Sequence, residues 1–75
     1  NAINLKAIEE NIDAWVSEGM ATKKGKVISI NLKEMGYDKL LGTGSASQAY
    51  KLTISAASAK AVEKTEAAGG EIING

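Results

Sequence analysis

The sequence predicts a small, irregular α/β domain, three strand-strand-helix units coiled into one layered body, and three observations carry that prediction. An apolar stripe at helical spacing opens the chain; short β-branched runs bounded by Gly, Asn and Lys follow; and the order strand, cap, helix comes three times. A chain of 75 residues has room for one modest core, so residues 1–75 form a single domain.

The first helix is the firmest element. Leu5, Ile8, Ile12, Trp15 and Val16 share one face, while Lys6, Glu9, Glu10 and Asp13 take the other. Asn4 is placed to cap its start, and Gly19 to end it. Val27 to Ile30 reads as a short strand entered by the turn-like run Lys23-Lys24-Gly25-Lys26, with Met20 to Thr22 as a hairpin partner. Asn31 and Glu34 resemble a capping box, but Gly36 stops the helix after about one turn. Lys39 to Leu41 is a brief strand, Gly42 to Ser47 an exposed loop, and Leu52 to Ile54 a strand alternating with polar residues. Ser58 caps a second helix running to Ala68, whose inward face is Ala61, Val62, Thr65 and Ala68. Gly69-Gly70 closes it before a last strand from Glu71 to Ile73.

Ile3-Asn4-Leu5-Lys6 returns as Ile30-Asn31-Leu32-Lys33, each passing from a strand-like Ile to a cap. Leu52 to Ala68 repeats the order without the letters. Units spaced about 27 residues apart argue for neighbours that bury one another's apolar faces.

Composition removes most chemistry. Of 33 apolar residues 12 are Ala, so the core is thin and a deep substrate cavity is not expected. The chain has no Cys and no His, which removes disulfides, thiolate zinc sites, haem ligation and the usual general base. No enzyme, cofactor, metal or small-molecule substrate is therefore expected. No run approaches the ~20 apolar residues of a membrane span, so a cytoplasmic protein with no membrane partner is expected. The start at Asn1 rather than Met suggests an excised or processed piece of a longer protein.

Nine Lys balance nine acids, and there is no Arg. Any basic surface must be local, and lysines meet phosphates as point charges without the planar two-point contact that reads bases. The candidates for RNA contact are Lys23, Lys24, Lys26, Lys39 and Lys51, with Gly42, Thr43, Gly44 and Ser45 of the Gly/Ser loop. A nucleotide cradle in that loop is disfavoured: no Gly-Lys-Ser/Thr is present, and Ser47 stands where a third glycine belongs. An ordinary surface connection, or contact with an RNA backbone, fits it better. Tyr37 and Tyr50 are candidates to stack on bases, whereas Trp15 belongs to the apolar helix face.

Three blocks in order carry a resemblance: Ile3-Asn4-Leu5 with the helix after it, Gly36-Tyr37-Asp38-Lys39-Leu40-Leu41-Gly42-Thr43-Gly44, and Ser58 to Gly70. Together they resemble the C-terminal domain of the large ribosomal subunit protein fifteen family in its archaeal form. A sister family, large ribosomal subunit protein eighteen, is similar in fold and final glycine pair, and the Gly36-Tyr37-Asp38-Lys39 block favours fifteen. The resemblance implies a coil of strand and helix units, a structural place in the cytoplasmic ribosome, and contact with large-subunit ribosomal RNA and other ribosomal proteins. It implies also a long basic N-terminal extension, to which nothing in these residues corresponds. Thr43 and Ser45 stand where the family has basic residues, and Thr65 where it has an apolar one. That hydroxyl is expected to bond a helix carbonyl such as that of Ala61. The competing expectation is a non-ribosomal protein-interaction module, suggested by zero net charge, the lack of Arg and an acidic helix face.

Overall fold

Asn4 ends a strand and starts a helix, and that junction sets the pattern for the chain. Its extended backbone (φ −115°) leaves the side-chain oxygen free to accept from the Ala7 N–H at 2.8 Å, satisfying one of the donors a helix start leaves open. The helix α1 (Leu5–Glu18) then buries Leu5, Ile8, Ile12 and Trp15 and ends at Gly19, which has φ 82°. The expected stripe, cap and stop are all present.

The computed structural model describes residues 1–75. Before α1 lies β1 (Ala2–Asn4); after it come β2 (Ala21–Lys24), β3 (Val27–Asn31), β4 (Lys39–Leu41), β5 (Ala49–Ile54), β6 (Ala56–Ala57), α2 (Ala59–Ala67) and β7 (Glu71–Asn74). They form two sheets, β1-β4-β6 and β2-β3-β5-β7, in which every pairing is parallel except β2 with β3. The small α/β class is as expected.

Parallel pairing makes the chain a coil of three turns. Each leaves the smaller sheet, crosses a connection and enters the larger one: β1 through α1 to β2 and, by the hairpin, β3; β4 through residues 42–48 to β5; β6 through α2 to β7. The Gly/Ser loop thus takes the place in the second turn that helices take in the first and third. The strand partners in the larger sheet stand 22 residues apart at Val27 and Ala49 and 20 apart at Lys51 and Glu71, so the coil does not step by the spacing of the two Ile-Asn-Leu-Lys segments. Those segments share a cap rather than a place: Ile3 lies in the smaller sheet, Ile30 in the larger, and Asn31 Oδ1 accepts from the Glu34 N–H at 3.1 Å. The turn it starts ends at Gly36, as the early glycine predicts.

One core of 14 residues fills the coil, with Leu5, Ile8, Leu32, Leu40, Tyr50 and Leu52 fully buried. Val62 and Ala68, expected on the inward face of α2, are half-buried, while Ala61 and Thr65 are enclosed. The expected bond from Thr65 to a helix carbonyl is absent: its hydroxyl is buried with no partner. The Thr65 side chain lies in the core, 0% exposed, with its hydroxyl unbonded. No helix is long and apolar enough to cross a membrane.

Candidate nucleic-acid interface

The basic residues gather where the sequence has no acids. From Gly19 to Lys33 there are four lysines and no carboxylate, against four carboxylates and one lysine over α1. A neutral chain is thereby split into a positive hairpin and a negative helix.

Within the hairpin, Lys23 and Lys24 are strand residues, not turn residues as expected. Lys24 pairs with Val27, leaving a two-residue turn of Gly25 and Lys26. Gly25 has φ 60° and Lys26 has no positive φ, the pattern of a type II′ turn, which matches the strand twist and requires glycine first. Alternation places Lys23 in the row of Ile28 and Tyr50, on the core side of the sheet but at its exposed edge. Lys24 belongs to the outer face with Val27.

The other predicted lysines lie elsewhere. Lys51 stands on the outer face of the larger sheet, its ammonium 3.6 Å from Glu71, both half-exposed. Lys39 belongs to the smaller sheet, in the row of Ala2 and Ala56, so the structure does not bring it to the hairpin. The side chains of Thr43 and Ser45 are exposed.

The loop from Gly42 to Ser47 is built inward. The Lys64 ammonium donates to the carbonyls of Gly42 and Gly44 at 2.7 Å each, and the Lys6 N–H donates to Thr43 O at 3.0 Å. Ser47 donates its hydroxyl to Glu9 Oε2 at 2.8 Å and its N–H to Glu9 Oε1. A Cβ on Gly44 would stand 2.6 Å from Lys6 N, and one on Gly42 would stand 2.5 Å from Lys60 Cβ, so the loop fits only as glycine against the first turns of both helices. Carbonyls converge on a cation here, the reverse of the amide cradle that a phosphate requires.

Of four surface cavities, the largest, about 380 Å³, lies between the hairpin tip and the entry to β5, lined by Lys23, Gly25, Lys26, Ser47, Gln48, Ala49 and Ala68. It holds two lysines and no carboxylate, whereas Glu71, Glu66 and Glu34 line the other three. Sequence reasoning missed Gln48 and Lys64, because both act across separations that no local pattern marks; Lys64 reaches residues 20 and 22 positions away.

Tyr50 is fully buried, which removes it as a platform for bases. Its hydroxyl makes no hydrogen bond of acceptable geometry. Burial, and then the nearby Glu9 carboxylate, push its pKa up to about 12.

Residues 2–73 match the family described as ribosomal proteins 50S-L15 and 50S-L18e, with their counterpart in the 60S subunit. The chain belongs to this family. It is 44% identical over 71 residues to the large ribosomal subunit protein uL15 of Hyperthermus butylicus, covering 95% of this chain and 47% of that protein. The uL15 of Archaeoglobus fulgidus is also 44% identical, with 95% and 40% covered, and that of Methanobrevibacter smithii is 40% identical over 73 residues, with 97% and 50% covered. The chain thus spans about half the length of these family members. Membership in a family of ribosomal proteins agrees with the expected resemblance and with a non-catalytic role.

Proposed function

We propose that the chain is a structural constituent of the large subunit of the cytoplasmic ribosome, packing on large-subunit ribosomal RNA and on neighbouring ribosomal proteins. Membership in the ribosomal protein family is the observation that carries this reading. The separated charge of the fold supports it: a lysine hairpin free of acids meets a phosphate backbone, and the carboxylate-rich face of α1 is left for other contacts. RNA contact is assigned to Lys23, Lys24 and Lys26 first. Lys39 on the smaller sheet, Lys51 beside Glu71, and the outward side chains of Thr43 and Ser45 are assigned to contacts apart from the hairpin, while Gly42 and Gly44 hold the loop in position.

Sucrose-gradient fractionation of native lysate, followed by mass spectrometry of each fraction, tests the reading. Peptides of this chain are expected with large subunits after a high-salt wash. Peptides confined to the soluble fractions would reject it in favour of a protein-interaction module outside the ribosome.

A further inference from the structure

We infer that the cleft between the hairpin tip and residues 47–49 is a seat for one stretch of RNA backbone, taking a phosphate against Lys23 and Lys26 and a ribose hydroxyl against Ser47 and Gln48. The inference rests on the ribosomal reading and narrows it to one concavity. Charge selects the site. Lys64 is committed to two loop carbonyls, and Lys51 stands beside Glu71. This cleft alone among the cavities holds lysines without a carboxylate in its lining.

Hydrogen-bond direction selects the ligand. The Ser47 hydroxyl gives its proton to Glu9, so toward the cleft it offers lone pairs only, which accept from a 2′-hydroxyl and repel a phosphate oxygen. The Gln48 carboxamide both donates and accepts. Ammonium groups on one wall, facing an acceptor at Ser47 and a carboxamide at Gln48 on the other, fit a nucleotide whose phosphate and ribose hydroxyl both take part, and DNA lacks the second. Lys24, on the outer face of the sheet, lies outside the cleft.

The ¹⁵N-labelled chain titrated at low salt with a short RNA hairpin, and with a DNA hairpin of the same sequence, tests this. RNA is expected to shift the amides of Gly25, Lys26, Ser47, Gln48 and Ala49 and to bind more tightly than DNA. Lys23→Ala with Lys26→Ala should weaken RNA binding about tenfold and make the slope of log K against log salt shallower by about 2, whereas Lys33→Ala with Lys60→Ala, both exposed and outside the cleft, should change affinity less than about twofold. Circular dichroism of each variant shows that the fold is kept. Shifts centred on Lys33, Lys39 or Lys60, or equal affinity for RNA and DNA, overturn the cleft. Sedimentation of the chain with large subunits, without these shifts, rejects the cleft and keeps the ribosomal reading; loss of co-sedimentation rejects both.

Discussion

Two buried hydroxyls set the chemistry of the core at the scale of single residues. Thr65 is wholly enclosed with Oγ1 unbonded, and an unmet buried hydroxyl costs about 1–3 kcal/mol. Thr65→Val keeps the branched shape and removes the unmet group, so we expect a gain of about 1 kcal/mol, or a midpoint about 4–8 °C higher in thermal unfolding. A lower midpoint would mean that water or a carbonyl already satisfies the hydroxyl. Tyr50 has a different signature. Its pKa rises from 10.0 to about 12 on folding, so the folded state holds the phenol proton more tightly than the unfolded chain does. The stability this gives is complete below pH 10 and is lost as pH climbs through about 12. Tyr50→Phe should flatten that alkaline decline in urea denaturation series at stepped pH, whereas an unchanged slope would assign the decline to the lysines.

At the scale of elements, what the sequence shows depends on how local the cause is. Asn4, the apolar stripe of α1 and Gly19 act within a few positions of one another, so the first helix is legible residue by residue. Asn4→Ala should cost about 1 kcal/mol in chemical denaturation, with amide exchange rising first at the helix start. Loss of the same energy without faster exchange there would show that the cap is not the cause. The strand β6 is illegible for the opposite reason: two alanines carry no strand preference, and pairing with Lys39 and Leu40 makes them extended. The lysines of the candidate site were readable as a set from composition, since no acid interrupts them between Gly19 and Lys33. Their division between two faces was not, because it depends on a turn confined to Gly25 and Lys26, which begins two positions later than the run of letters suggests. The Gly/Ser loop shows the same limit. Its glycines signal a bend, but the reason they are needed, contact with Lys6 and Lys60 on helices at either end of the chain, exists only in the fold.

At the scale of the whole molecule, the second turn of the coil decides whether the protein unfolds as one body. A 75-residue domain has a stability of about 4–11 kcal/mol, so no part of the stack has much to spare. Here the outer turns carry the helices, and the middle one carries a loop fixed by Lys6, Glu9 and Lys64. The loop therefore couples α1 to α2. Gly44→Ala tests that coupling at its tightest point, since the glycine has φ 92° and its Cβ would meet the Lys6 backbone. Strain of that kind costs about 1–3 kcal/mol before the clash is counted. We expect the wild-type chain to lose Trp15 fluorescence and far-ultraviolet circular dichroism at the same urea concentration. Gly44→Ala should move both midpoints down together. If the two signals separate in the variant, the loop holds together parts that are otherwise independent. If they already separate in the wild type, the stack is not one cooperative unit, and the energies assigned here to single residues belong to the turn that contains them rather than to the molecule.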